Sequence, residues 1–206
     1  MGSATHRRYP LVRQVARNRL ISSSVSGKAG CSGRNPERLS APEDMLMRLV
    51  VIAVGRLKQG PERELAERYC ERFDDISRKL GFRGLQIHEI PESRARDAET
   101  RIAEEAAAIS ATIPPKAILV ALDERGDGID SHGFARHLAR WRDDQVANTI
   151  FIIGGADGLS PELRRMAKLR MAFGSATWPH QMVRVMLLEQ VYRAATILAG
   201  HPYHRA

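Results

Sequence analysis

Two cysteines, Cys31 and Cys70, are all that 206 residues contain. That excludes a disulfide framework and makes a reducing cytoplasm the expected compartment. Both thiols are expected to be inert, since a reactive cysteine needs an electropositive, partly open setting. Long hydrophobic runs are also missing. The uninterrupted apolar stretches, Leu49–Val54 among them, fall far below the ~18 residues of a membrane span. No Gly-x-Gly-x-x-Gly follows any apolar run, so a dinucleotide site is excluded. Gly55 and Gly60 have phosphate-loop spacing, but Pro61 stands where the lysine belongs. No metal is expected: His132 and His137 lie five apart on one helix, and His201 and His204 lack carboxylate or cysteine companions at ligand spacing. Ser160 reads as a helix cap and Ser175 has no nucleophile-elbow context, so hydrolase chemistry lacks a nucleophile.

What is present fits one α/β domain with an appended segment. The chain is 43% apolar with a net charge of +8, and its length allows a substantial core. Residues 1–46 carry eight basic and three acidic residues, are rich in Arg, Ser and Gly, and lack apolar periodicity. They are expected to be a disordered extension. An organellar transit peptide has similar composition, but an upstream start is favoured, with Met45 or Met47 as the working initiator. The remainder, 47–206, is mildly basic, which suits a nucleic-acid partner without requiring one.

From Met47 onward strands and helices alternate. Apolar strands are predicted at 48–54, 85–90, 116–122, 149–153 and 171–173. Helices are predicted at 61–73, 97–110 and 131–141, the last capped by Ser131. Another starts at Pro161 behind Ser160, and the longest spans 180–198. Such alternation predicts a mostly parallel sheet with helices on both faces. Ligands in such folds lie beyond the carboxyl ends of the strands. Three loops there are candidates: Leu122–Gly126, Gly154–Gly158 and Gly174–Pro179, whose glycines are expected to let a ligand approach the backbone. The last helix is apolar on nearly every side, which predicts a dimer interface, with Arg184 and Arg193 either reaching across it or paired to an acid such as Glu189.

Four motifs in order carry a resemblance: Leu122-Asp123 with Gly126, Ile153–Pro161, Thr177–His180 with Val183-Arg184, and His201–Arg205. Together the span 47–206 resembles the bacterial large-subunit (23S) ribosomal RNA pseudouridine N3-methyltransferases, the RlmH-type SPOUT methyltransferases; residues 1–46 have no counterpart. The resemblance implies a C-terminal trefoil knot, a cytoplasmic homodimer, S-adenosyl-L-methionine as cofactor, and methylation of N3 of a pseudouridine on assembled ribosomes. By position it implies cofactor contacts from Leu122, Gly154, Gly155, Gly174, Ser175, Ala176, Thr177, Trp178 and Pro179. His201, Tyr203, His204 and Arg205 would form the catalytic and RNA-contacting tail, without saying which side chain takes the N3 proton. Two other readings are a SPOUT transferase acting on another RNA base and a non-catalytic ribosome-binding factor.

Overall fold

The computed structural model describes residues 46–202. All but Leu46 of the predicted extension, and the tail residues Tyr203, His204 and Arg205, lie outside the described residues. Five strands, β1 (Met47–Val54), β2 (Phe82–Ile90), β3 (Ile118–Gly128), β4 (Asn148–Ile153) and β5 (Leu169–Ala172), form one sheet in the order β2-β1-β4-β3-β5. Every pairing is parallel. Five α-helices connect and follow them: α1 (Pro61–Ser77), α2 (Ala98–Ser110), α3 (Ser131–Asp143), α4 (Pro161–Met166) and α5 (His180–Leu198).

The period-2 geometry of a strand sorts the apolar residues into two cores. Leu49, Val51, Ala53, Phe151, Val120 and Met171 face α1, α3 and α5. Val50, Ile52, Val54, Ile150, Ile152 and Ala121 face the other way, toward Ile109 of α2 and Leu163 of α4. Because β1 and β4 are covered on both faces, they read as continuous apolar runs rather than alternating ones.

Helix boundaries follow their caps. The side chains of Asp97 and Ser160 accept from the backbone N–H groups of Thr100 and Leu163, as expected for N-caps. At α3 the cap is Asp130 and not Ser131: the Asp130 carboxylate accepts from Gly133 N. Freed from capping, the Ser131 hydroxyl donates to Gln190 Oε1 at 2.9 Å and ties α3 to α5. A second correction concerns β3. The Asp123-Glu124-Arg125-Gly126 stretch, predicted as a loop, continues the strand to Gly128, with its register against β5 shifting between Leu122 and Asp127. Gly126 permits this, since a Cβ there would lie 2.8 Å from the β5 backbone at Arg170 and Met171.

The last helix is wedged between α1 and α3 on the sheet. Leu187, Leu188, Val191, Ala194 and Ala195 are buried within the chain itself. Much of the apolar surface from which a dimer face was inferred is thus covered by the helix's own neighbours, while Met182 stays exposed. Arg193 pairs with Glu189 one turn away, and Arg184 has a different partner, described below.

Cys70 on α1 packs against the first core. Burial, reinforced by Asp74, Glu67 and Glu71, pushes its thiol up to about 12. At neutral pH the native protein should therefore resist iodoacetamide at Cys70 and label it once denatured, as peptide mapping by mass spectrometry will read.

Candidate functional site

The carboxyl ends of β3, β4 and β5 open into a cleft of about 650 Å³. All three sequence-predicted loops meet there. Leu122, Gly154 and Gly155 line it, as do Gly174, Ala176, Thr177, Trp178 and Pro179; Ser175 does not. Apolar walls come from Leu122, Ile153, Met171 and Val183. Sequence reasoning did not single out Met171 or Arg164, which the fold rather than a motif brings in, and Val183, although part of a motif, was not named as lining.

The paired glycines are also required by contacts within the chain. A Cβ on Gly154 would lie 2.5 Å from the Gly158 carbonyl carbon and 2.6 Å from its oxygen. One on Gly155 would sit 2.9 Å from Glu105 Oε2 and 3.1 Å from Val54 Cγ1. The loop doubles back, with Gly158 N donating to Gly155 O at 3.1 Å, and Gly158 takes φ +81°. These glycines exist so that the loop can close on itself and on the buried carboxylate of Glu105.

Side chains brace the loops from outside. Arg101 of α2 grips Asp157 with two hydrogen bonds, 2.7 Å and 3.1 Å long. The same guanidinium donates to the carbonyls of Ala95 and Arg96. Its hydrogen bonds hold the Asp157 carboxyl below the usual carboxylate range. A depressed carboxylate stabilises the fold above its unfolded pKa and loses that contribution as pH falls through the folded value, so the brace is intact at neutral pH and weakens only in acid below the ordinary Asp range. Asp123 Oδ1 accepts from Arg125 N, and its Oδ2 accepts from Arg164 at 3.4 Å. The third loop is tied by Thr177 Oγ1, which donates to Glu124, and by Trp178 Nε1, which donates to Phe173 O. Trp178 nevertheless remains 44% exposed at the rim.

Beside the cleft, α5 begins at His180 and carries Arg184, 1% exposed and the largest fully buried side chain among the described residues. Arg184 donates to Glu89 Oε1 at 2.5 Å and to Gly55 O at 2.9 Å; its Nε has no partner. The same Glu89 oxygen accepts from Leu57 N. Gly55 takes φ +83°, and a Cβ there would meet Glu92 at 2.7 Å and His180 at 3.0 Å. One buried guanidinium thus fastens the ends of β1 and β2 to the helix that borders the cleft. No spacing in the sequence pairs residues 95 positions apart, and Glu89 gave no signal.

Of the predicted tail, only His201 is described. Helix α5 ends in a Schellman motif: Gly200 N donates to Ile197 O, His201 N to Thr196 O, and Gly200 takes φ +65°. His201 is exposed and does not line the cleft. Among the described residues no group of three or more His, Cys, Asp or Glu could hold a metal, and no helix is long and apolar enough to cross a membrane.

Comparisons with known proteins agree with this architecture. A family profile described as "Predicted SPOUT methyltransferase" matches residues 47–204. A protein of Bradyrhizobium diazoefficiens named "Ribosomal RNA large subunit methyltransferase H" is 81% identical over 160 residues, covering 78% of this chain and 100% of that protein. Proteins of the same name from Rhodopseudomonas palustris and Bradyrhizobium sp. are 79% and 78% identical, over 78% and 79% of this chain and all of their own lengths. A solved structure of a probable methyltransferase from Bordetella pertussis is 14% identical over 75% of this chain and 99% of its own, with a TM-score of 0.45; a likeness that loose carries no argument.

Proposed function

Because this chain belongs to the SPOUT methyltransferase family, and within it to the large-subunit ribosomal RNA methyltransferases H, we propose that it methylates N3 of a pseudouridine in 23S ribosomal RNA on assembled ribosomes, using S-adenosyl-L-methionine. The observation that carries the reading is the convergence of three loops on one cleft at the carboxyl edge of a parallel sheet. The walls fit that cofactor. Leu122, Ile153, Met171 and Val183 offer apolar surface for an adenine ring. The backbone-rich Gly154–Gly158 turn and the 174–179 loop offer N–H and C=O groups without bulky side chains. The volume lies within the usual range for small-ligand clefts.

The bound cofactor supplies an electrophilic methyl on a cationic sulfur. Transfer forms the N3–C bond, breaks the S–C bond and releases the N3 proton, so this chain's task is to align the two atoms and take up that proton. Tyr203, His204 and Arg205, with His201, are the residues proposed to orient the base and handle its proton.

Nineteen residues of α5 at ~1.5 Å each separate the cleft from the Schellman stop by about 28 Å. Arg205 lies three residues past Pro202, a reach of about 10 Å. The length of α5 supports a reading in which the tail serves the cleft of a partner, with a homodimer as the active form. The knot implied by the resemblance and a cytoplasmic location belong to the same proposal.

Two experiments test this. A methyl on N3 blocks the Watson–Crick edge, so reverse transcription of 23S RNA should stop at one pseudouridine in wild-type cells and read through when the gene is deleted. Read-through in both would refute the assigned atom. In the second, Gly154→Ala removes the cleft of one subunit and Tyr203→Ala the tail of another. Each alone should be nearly inactive, and their mixture should recover roughly a quarter of the wild-type rate, by random pairing in a two-fold dimer. A mixture as dead as its parts would show the tail acting within its own chain.

A further inference from the structure

Next to the cofactor cleft lies a second concavity of about 540 Å³, lined by Asp123, Arg125, Arg164, Arg165 and Arg170. It shares Asp123, Arg125 and Arg164 with the cleft, so the two are continuous. Three elements deliver the four guanidinium groups. Arg125 comes from the extension of β3, Arg164 and Arg165 from the last turn of α4, and Arg170 from β5. On β5, Met171 faces the α5 core, so by the strand alternation Arg170 faces the α4 side of the sheet.

Four cations line this groove with one carboxylate, Asp123, which is already used, and Glu124 stands only at its edge beside Arg125. Asp123 is 7% exposed and paired with Arg164. The Arg125 guanidinium, 76% exposed, has as its ion-pair partner among the described residues its neighbour Glu124, at 3.8 Å. Arg165 and Arg170 are exposed and have no ion-pair partner among the described residues. Basic residues in the last turn of a helix favour its dipole, which explains Arg164 and Arg165 on α4. It does not explain Arg125 or Arg170, which sit on strands at the same groove. Gathering like charges costs free energy that an anion from outside would recover.

We propose that this arginine groove holds the phosphate backbone of the RNA strand that carries the target base into the cleft. The inference rests on the reading of the cleft as an RNA methyltransferase site. Guanidinium groups spread over a groove suit successive phosphates, which are contacted without regard to sequence. The exposed indole of Trp178, which lines the adjoining cleft, offers a face for a base of that strand to stack on.

The test is the salt dependence of methyl transfer to ribosomes lacking the modification. Arg165 and Arg170 do not line the cofactor cleft, so Arg165→Gln with Arg170→Gln should leave S-adenosyl-L-methionine affinity unchanged. The ribosome KM should rise roughly tenfold at moderate salt, and the slope of log KM against log salt should flatten by about 1.5, the signature of two lost phosphate contacts. Arg165→Lys with Arg170→Lys should restore most of the slope. The charge-matched control, Arg68→Gln with Arg83→Gln, lies on α1 and on β2 at the opposite edge of the sheet and should change neither. An unaltered slope in the Gln pair, or an equal change in the control, would overturn the groove assignment while leaving the methyltransferase reading intact. Failure of the wild-type protein to methylate ribosomes at all would overturn both.

Discussion

Replacing Glu89 with alanine should destabilise the protein by about 3 kcal/mol, with the loss visible as a lower denaturant midpoint at an unchanged slope. Removing Glu89 leaves the buried Arg184 guanidinium uncompensated, and breaking a fully buried pair in this way typically costs about 3–5 kcal/mol. Arg184 is 1% exposed and Glu89 29% exposed, so the lower end of that range applies. After the substitution Arg184 keeps only the Gly55 carbonyl, with its Nε already unpartnered, and the Leu57 N–H loses its acceptor. Glu89→Gln should cost less, because an amide oxygen can still accept both hydrogen bonds. Replacing the pair together by Leu at 89 and Met at 184 should cost less than the alanine change alone, since an apolar pair leaves no buried charge. Urea titrations followed by circular dichroism will rank the three, and equal losses for Glu89→Ala and the double variant would refute the uncompensated-charge explanation.

The second large effect is at Gly154. An alanine there should lower S-adenosyl-L-methionine affinity about a hundredfold while the fold survives. The added methyl meets backbone at 2.5–2.9 Å, the carbonyl of Gly158 and the N of Leu159, and backbone cannot rotate away as a side-chain tip can. Relieving such overpacking costs about 1–3 kcal/mol, and the easiest relief is to open the turn that walls the cleft. Gly155→Ala should be milder, because its contacts are the ends of Glu105 and the γ-methyl of Val54. At Gly174 a Cβ meets nothing, and only φ +91° opposes it; alanine there should cost roughly 1 kcal/mol of local strain. Calorimetric titration of the cofactor against the three variants should return the order 154, 155, 174. A Gly174→Ala defect larger than that of Gly154→Ala would mean that the glycines serve ligand approach after all.

These two sites mark what the sequence carried and what it withheld. Strands β1 and β4 were legible because burial on both faces leaves an unbroken apolar run, α2 because Ile102, Ala106 and Ile109 fall on one helical face, and α4 because Ser160 is a local cap. The end of β3 was not. Asp123-Glu124-Arg125-Gly126 has turn composition, and only the Gly126 approach to the β5 backbone shows why it stays extended. The three stretches that line the cleft could be named from their glycines, yet the contacts that bar a Cβ at Gly154 and Gly155, with Gly158 and with Glu105 on another helix, could not. Long-range electrostatics left no trace at all: Arg184 with Glu89, Arg101 with Asp157, and the four arginines of the groove are assembled by topology rather than by spacing. Family likeness supplied the cofactor and the target atom, which no residue pattern here encodes by itself.

The central claim is methyl transfer to large-subunit RNA through the three-loop cleft. The most direct measurement supplies methyl-labelled S-adenosyl-L-methionine to assembled ribosomes lacking the modification, with wild-type protein and with Gly154→Ala. The account predicts label in 23S RNA with the wild type, none in the small-subunit RNA, and a loss of about two orders of magnitude with Gly154→Ala at limiting cofactor. Label appearing equally with both proteins would contradict the placement of the cofactor. No label with a wild-type protein that binds the cofactor would contradict the substrate.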